Sequence, residues 1–146
     1  MKSADGKAGE PRSGDGAGPL GSVLLVEDDA VLALATEDSL REAGASEVTT
    51  VATTAAALDQ LRDSKFDLLI LDVHLADRDD GWAIAELVAQ IGPQPPRIIF
   101  STGAPDSIPE EIAELGPVLE KPYDFSELVA HARAPRRKGL LALFRR

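Results

Sequence analysis

The stretch "LLILDVHL", residues 68–75, sets four apolar residues directly in front of an aspartate, Asp72. A strand that is apolar on both faces is typical of a parallel sheet covered by helices on both sides. In such sheets, ligands bind outside the carboxyl ends of the strands. The stretch therefore predicts a covered parallel sheet and makes Asp72 the first residue whose role has to be explained.

Outward from this stretch, strands alternate with helices, which predicts a parallel α/β fold. Right-handed crossovers in so small a unit favour the strand order 2-1-3-4-5, the flavodoxin-like doubly wound (βα)5 arrangement. The first helix should begin after an N-cap at Asp29 and end before Gly44. The predicted strands are SVLLVE (22–27), EVTTV (47–51), FDLLILD (66–72), RIIFS (97–101) and PVLE (117–120), and the predicted helices cover 28–44, 53–64, 81–92, 108–116 and 124–134.

Composition limits the class of protein. At 146 residues the chain is long enough for one domain with its own core. Residues 1–21 are rich in Gly, Ser, Pro and charge and are predicted to be a disordered leader, which leaves a domain at 22–134 and a basic tail at 135–146. The domain carries 22 acidic and seven basic residues, a balance that argues against nucleic-acid binding. The sequence has no cysteine, no signal-peptide pattern and no run of roughly 20 apolar residues, so a cytoplasmic protein is the default expectation.

Acidic residues follow two neighbouring strands of the predicted sheet. Glu27 and Asp28 follow the first strand, Asp72 ends the third, and the strand order brings these two tips together. Three carboxylates at such close range repel one another, and a hard divalent cation removes the conflict. All-oxygen ligation with room for water or phosphate suits Mg²⁺. The sequence thus predicts a Mg²⁺ site made of Glu27, Asp28 and Asp72, whereas Asp29 is explained as a helix cap.

Further polar groups reach the same edge of the sheet. The run "FSTG" places the Thr102 hydroxyl and the Gly103 backbone N–H after the fourth strand, and "EKP" places Lys121 after the fifth. Taken singly, Thr102 is explained as a turn residue and Lys121 as a surface charge. Together with the metal they suit phosphoryl transfer, in which the protein positions the group and neutralises its oxygens. Asp72 would then be the nucleophile, since a carboxylate can form an acyl phosphate.

Four motifs at four strand ends resemble one known family: "LLVEDD", "LLILDVHL", "FSTG" and "LEKPYDFSEL". Over residues 22–134 the chain is similar to the response-regulator receiver domains of bacterial two-component systems. The resemblance implies that Asp72 takes a phosphoryl group from the phosphohistidine of a sensor histidine kinase. It also implies that the backbone carbonyl of His74 adds a ligand to the metal and that the Lys121–Pro122 peptide bond is cis.

The chain departs from the common receiver pattern in two places. "LADRDDG" lacks the Met-Pro that often follows the acceptor and is one residue longer, and Val118 stands three residues before Lys121, where an aromatic switch residue is common. The phenylalanine of "FSTG" and the missing proline resemble the FATGUY single-domain receivers of alphaproteobacteria. That likeness predicts a stand-alone receiver. The resemblance assigns no role to the His74 side chain.

After the predicted domain only "PRRKGLLALFRR" follows, so the expected output is protein contact, phosphoryl relay or phosphoryl drain. The partners implied are a sensor histidine kinase and a phosphotransfer or downstream regulator protein. The bases flanking "GLLALF" could serve a membrane surface or an acidic partner. A frayed end whose bases offset the acidic domain is the favoured alternative, since about 12 residues are marginal for an isolated helix.

Three functions stay open at this point. The leading one is a phosphorylatable switch with slow self-dephosphorylation, which is not a turnover enzyme. A Mg²⁺-dependent phosphohydrolase would need a second carboxylate two residues after the nucleophile, where His74 stands. A phosphorylation-independent scaffold is disfavoured because Asp72, Asp28 and Lys121 are all present.

Overall fold

The structure is a computed structural model that describes residues 20–75, 77–78 and 80–135. The predicted leader up to residue 19 and the tail from residue 136 lie outside the described residues. Within the described ranges, five strands alternate with five α-helices. In chain order they are β1 (Gly21–Val26), α1 (Ala30–Glu42), β2 (Ala45–Val51), α2 (Thr54–Asp63), β3 (Leu68–Asp72), α3 (Trp82–Val88), β4 (Arg97–Thr102), α4 (Glu110–Ala113), β5 (Val118–Glu120) and α5 (Phe125–Arg133), with a turn of 3₁₀ helix at Pro105–Ser107.

The five strands form one parallel sheet in the order β2-β1-β3-β4-β5, which confirms the predicted flavodoxin-like topology. The central strand, β3, pairs with β1 on one side and β4 on the other. All five residues of β3 are buried, as expected for a strand covered on both faces. Because the strands are parallel, their carboxyl ends lie at one edge of the sheet.

Two apolar clusters cover the two faces of the sheet. One holds buried residues of α2, α3 and α4, and the other holds buried residues of α1 and α5. Alternate residues of β3 supply each cluster: Leu69 and Leu71 pack into the first, and Leu68 and Ile70 into the second. The two-residue period of a strand therefore divides one short apolar run between both faces.

The helix boundaries follow local sequence signals where these are strong. Asp29 caps α1 by accepting hydrogen bonds from the backbone N–H groups of Val31 and Leu32, both at 3.0 Å. Thr53 caps α2 in the same way through Ala56 N–H. Gly44 follows α1 with φ +111°, a left-handed conformation that favours glycine, so the predicted cap and end of α1 are confirmed.

Other boundaries differ from the predictions. The predicted leader extended to residue 21, but Leu20 is buried in the core and Gly21 begins β1, so the fold starts two residues earlier than expected. The helix predicted over 81–92 ends at Val88, ahead of Pro93, Pro95 and Pro96, and the helix predicted over 108–116 is a single turn. The backbone N–H groups of Gln90 and Ile91 donate to carbonyls three residues back, so the helix tightens after Val88 and stops before Gly92, whose φ is +50°.

The peptide bond between Lys121 and Pro122 is cis, as the resemblance implied. Across the described ranges, no helix is both long enough and apolar enough to cross a membrane.

Candidate functional site

Three carboxylates meet at the carboxyl edge of the sheet. Glu27 directly follows β1 and Asp72 ends β3, and these strands pair in register up to Val26 and Leu71. One carboxylate oxygen from each of Glu27, Asp28 and Asp72 lies within 4.8 Å of the others. Glu27 and Asp72 are buried, at 5% and 4% exposure, whereas Asp28 is exposed. The predicted acidic cluster is therefore assembled, with one open side.

Lys121 joins two of these carboxylates. Its Nζ donates hydrogen bonds to Glu27 Oε1 at 2.9 Å and to Asp72 Oδ2 at 3.1 Å. The end of β5 is held in place because the backbone N–H of Lys121 donates to the carbonyl of Thr102 at 2.8 Å. Lys121 is thus part of the acidic site and not a surface charge.

The pKa shifts of this group reflect burial and charge crowding. Burial raises the pKa of Glu27, the Asp72 charge adds to that rise, and the hydrogen bonds from Lys121 and from Asp29 N–H oppose it without cancelling it. Burial alone would lower the pKa of Lys121, but its hydrogen bond to Glu27 and the charge of Asp72 raise it overall. Burial of Glu27 thus outweighs what Lys121 contributes to its charged form, and a cation on the open side would favour the charged form of the cluster.

The donor set fits Mg²⁺. All the available ligand atoms are carboxylate oxygens, one of the three acids faces solvent, and the cluster keeps an open side for water or phosphate oxygens. Such a donor set would not suit a soft metal, which prefers thiolate or imidazole. The residues predicted for the metal therefore have the right chemistry and the right spacing.

Thr102 and Gly103 lie at the same edge. Ser101 pairs with Asp72 in the β3–β4 register, so the residue after it stands next to the acidic cluster. Thr102 is fully buried, and its hydroxyl accepts a hydrogen bond from Ala104 N–H at 3.0 Å. Gly103 is exposed, and open space surrounds the position that a side chain would occupy. The structure brings both residues to the predicted place, and their roles toward a phosphoryl group stay predictions.

His74 has a structural contact that the sequence did not reveal. Its backbone N–H donates to Asp72 Oδ1 at 3.0 Å, and its ring Nε2 lies 3.0 Å from Ser107 Oγ. Ser107 Oγ donates its one proton to the carbonyl of Ala104 at 2.7 Å, so Nε2 of His74 is the donor to Ser107. The imidazole therefore links the loop after β3 to the loop after β4, across the site.

Asp77 is a second residue that sequence reasoning missed. Its carboxylate accepts hydrogen bonds from the backbone N–H groups of Thr54, at 3.0 Å, and Ala55, at 3.3 Å. These are unpaired donors at the start of α2, so Asp77 fastens the loop after β3 to that helix. The extra length of "LADRDDG" was the available signal, but the partner 22 residues away could not be inferred from it.

The aromatic residue near the site does not stand three residues before Lys121, where receivers commonly have an aromatic switch residue. That position holds Val118, which is half-buried and packs against the apolar cluster that contains the buried residues of α2, α3 and α4. Tyr123, two residues after Lys121, packs on the opposite face, and its hydroxyl lies 3.0 Å from Ser101 Oγ. Burial raises the pKa of Tyr123 although the hydrogen bond with Ser101 opposes the rise. Trp82 is partly buried against the core.

A doubly wound parallel sheet with an acidic cluster and a bridging lysine at its carboxyl edge defines a receiver-type domain. The family model "Response regulator receiver domain" matches residues 23–133. The chain belongs to this family and is a receiver domain of a two-component response regulator.

Individual relatives agree with this assignment. The transcriptional regulatory protein CutR of Streptomyces coelicolor is 36% identical over 126 residues, which are 83% of this chain and 56% of CutR. The solution structure of SdrG from Sphingomonas melonis Fr1 is 31% identical with a TM-score of 0.64, covering 77% of this chain and 94% of that one. Response regulator TrrA of Thermotoga maritima, solved in complex with Mg²⁺ and BeF, matches the fold with a TM-score of 0.64 at 22% identity, covering 73% of this chain and 91% of that one. The chain spans about half the length of the curated relatives it matches.

Proposed function

We propose that this receiver accepts a phosphoryl group on Asp72 from the phosphohistidine of a sensor histidine kinase, with Mg²⁺ held by Glu27, Asp28 and Asp72. The observation that carries the proposal is the contact of Lys121 Nζ with both Glu27 and Asp72. A lysine placed there can leave the carboxylate for a phosphoryl oxygen when Asp72 loses its negative charge on modification. The Mg²⁺–BeF complex of the TrrA neighbour supports the metal assignment.

The transfer requires positioning more than acid–base chemistry. The N–P bond of the phosphohistidine breaks as a carboxylate oxygen of Asp72 forms the new O–P bond, and the imidazole nitrogen keeps the bonding electron pair. Bound Mg²⁺ would draw charge from the phosphoryl oxygens. The Thr102 hydroxyl accepts from Ala104 N–H with a lone pair and can donate its proton to a second oxygen, beside the backbone N–H of Gly103. Lys121 neutralises the third.

The same residues support a switch and not a turnover enzyme. A phosphohydrolase of this kind would need a second carboxylate as general acid two residues after the nucleophile, and that position holds His74, whose ring Nε2 lies 3.0 Å from Ser107 Oγ. The phosphorylated form would instead shift an existing equilibrium through its contacts with Thr102 and Lys121. Turnover of a phosphorylated metabolite would contradict this part of the proposal.

We also propose that the receiver acts as a single domain, in the manner of the FATGUY subgroup, and signals by protein contact, relay or phosphoryl drain. The likeness to SdrG, whose chain is covered almost completely by the receiver, supports this output. The curated relatives are about twice the length of the match, so the mass of the native gene product in its own cells is the direct test. A product twice as long would contradict the single-domain output and leave the chemistry at Asp72 unaffected.

The chemistry is tested by intact mass after incubation with Mg²⁺ and a small phosphodonor. We expect one added phosphoryl group, and no addition to Asp72→Asn or in the presence of a chelator. Asp106→Asn is the matched control, because it removes an exposed carboxylate outside the acidic cluster and should be labelled normally. Labelling that persists in Asp72→Asn would refute the acceptor assignment, as would the absence of labelling from both a small donor and a phosphorylated histidine kinase.

A further inference from the structure

The outward face of α1 carries an apolar pair beside the site. Val31 is 79% exposed and Leu34 is 63% exposed, the largest exposures of any large apolar side chain in the described ranges. They lie one helical turn apart, and the same face continues through Asp38 and Glu42. We call these four residues the α1 stripe. Two neighbouring apolar side chains of such exposure, next to the carboxyl edge of the sheet, form a surface on which another segment can pack.

Acidic groups flank the apolar pair at both ends. Asp28 and Asp29 are exposed just before the stripe, and Asp38 and Glu42 are exposed within it. Of the two exposed bases close by, Arg41 is paired with Glu37 at 3.2 Å, and Arg133 donates to the carbonyl of Ala43. The α1 stripe therefore fits a segment with apolar residues in the middle and bases on either side.

The end of the described chain lies next to this face of the fold. α5 packs in the same cluster as α1, and the Arg133 guanidinium donates to the carbonyl of Ala43, just past the end of α1, at 2.8 Å. The exposed apolar residues Leu87 and Ile91 belong to α3 and its following turn, on the opposite side of the sheet. The chain after Pro135 thus starts near the carboxyl end of α1. Because α1 and α5 run in the same direction, the chain would have to turn back along α1 to reach the α1 stripe.

The sequence after Pro135 has the complementary pattern. Residues 136–138 are Arg-Arg-Lys, residues 140–144 are Leu-Leu-Ala-Leu-Phe, and residues 145–146 are Arg-Arg. Eleven residues span at most about 36 Å when extended. The rise of α1 from Ala43 back to Asp29 is about 21 Å. A segment running antiparallel to α1 would therefore place its bases beside Glu42 and Asp38, then its apolar residues on the exposed pair, then its last bases beside the acids before the helix.

We propose that residues 136–146 dock on the α1 stripe of their own domain and cover Val31 and Leu34. The inference is independent of the chemistry proposed for Asp72, because it rests on exposure, charge and chain length. Docking would shield the apolar surface that adjoins the acidic site, so any protein that approaches the site along α1 would have to displace this segment.

The test uses the full chain, which has no cysteine and therefore accepts a single spin label cleanly. A label on Ala142→Cys should broaden the amide NMR signals of residues 30–38 and leave those of residues 82–88 on α3 intact. Replacing Arg136, Arg137 and Lys138 with Glu, or Val31 and Leu34 with Ser, should abolish the broadening. Leu87→Ser is the matched control, an exposed apolar residue on the other side of the sheet, and should leave it unchanged.

Each other outcome overturns the inference in a distinct way. Broadening that appears only between labelled and isotope-enriched molecules would assign the stripe to a second copy. A labelled segment that leaves α1 unaffected but binds anionic lipid vesicles would assign the segment to a membrane surface. Broadening spread evenly over the domain would show that the segment has no fixed site.

Discussion

The two halves of the sheet differ in how their helices are fastened. In the first half, Gly21–Asp72, α1 and α2 have 13 and 10 residues and begin with side-chain caps. In the second half, Gly81–Arg133, α3 and α4 have seven and four residues, and none of the three N-caps described there makes a side-chain hydrogen bond to its helix. β5 has three residues, half as many as β1 or β4, and α5 has nine. The helices of the first half therefore have side-chain hydrogen bonds at their starts that those of the second half lack, and the second half depends more on packing.

The site draws different components from the two halves. The acidic cluster of Glu27, Asp28 and Asp72 comes from the first half, and Thr102 and Lys121 come from the second. Short elements with few terminal hydrogen bonds open at a lower free energy than long capped ones. The site thus takes its carboxylates from the half with the longer, capped helices, and takes the hydroxyl and the ammonium group from the half with the shorter, uncapped ones.

The largest change in the free energy of unfolding should come from substitutions that leave a cavity in the core of each half. Leu40→Ala in α1 removes a fully buried side chain from a well-fastened helix and should lower the free energy of unfolding by about 2–5 kcal/mol. Ile112→Ala in α4 removes a side chain of similar size that is 4% exposed, and its cost should lie near the low end, because a single-turn helix can close on the cavity. Urea unfolding of both variants measures the difference. A larger loss for Ile112→Ala would break the comparison.

Metal binding should cause the next largest change in the free energy of unfolding. At a Mg²⁺ concentration about one hundred times its Kd, binding to the folded chain alone should raise the free energy of unfolding by about 2.7 kcal/mol. The gain has a physical source in the carboxylate crowding that one lysine does not offset. Thermal or urea unfolding with Mg²⁺ and with a chelator gives the value, and Asp28→Asn should show a smaller gain. Equal gains in both proteins would place the ion elsewhere.

Substitutions of N-cap residues should change the free energy of unfolding by less, and by different amounts in the two halves. Thr53→Ala removes the side-chain acceptor of Ala56 N–H and should cost about 1 kcal/mol. Asp124→Ala changes the N-cap residue of α5, whose side chain makes no such bond, and its cost should stay within about 0.5 kcal/mol. Chemical unfolding of the pair is sufficient to measure this. If Asp124→Ala costs as much as Thr53→Ala, the helices of the second half are fastened as firmly as those of the first.

The smallest effect should come from the protonation of Asp77, which lies in the loop that joins the two halves. Hydrogen bonds from Thr54 and Ala55 N–H hold the pKa of Asp77 below its ordinary value of 3.8, although partial desolvation acts against them. A carboxyl with a lowered pKa stabilises the fold above pH 3.8, and the contribution is lost as the pH falls through the lowered value. The amide NMR signals of Thr54 and Ala55 should therefore shift with a midpoint below pH 3.8. The shift should vanish in Asp77→Asn; a midpoint at or above 3.8 would show that the link is not formed.

The sequence predicted best what local signals determine. Asp29 and Gly44 mark the ends of α1 through bonds and dihedral angles within a few residues, and the short apolar run of β3 fits a covered strand. The acidic cluster and Lys121 were predictable because parallel strands bring their carboxyl ends to one edge. The early start of the fold at Leu20 was missed, since one leucine in a Gly-rich segment gives no period.

Contacts between loops were beyond prediction. The path of a loop depends on the packing of the elements that it joins, so neither the partner of Asp77 nor that of His74 is encoded near those residues. The lengths of α3 and α4 were overestimated for a related reason. Their apolar periodicity continues past the residues at which the helical hydrogen bonding of the backbone ends.

The bond between Lys121 and Glu27 joins positions 94 residues apart, and β5 is the last strand of the sheet. A chain that has emerged from the ribosome only as far as β4 already contains all three acids of the cluster, but not the lysine. The ion pair that joins Glu27 and Asp72 to Lys121 can therefore form only after nearly the whole domain has been synthesised, and until then the buried carboxylates lack their one cationic partner.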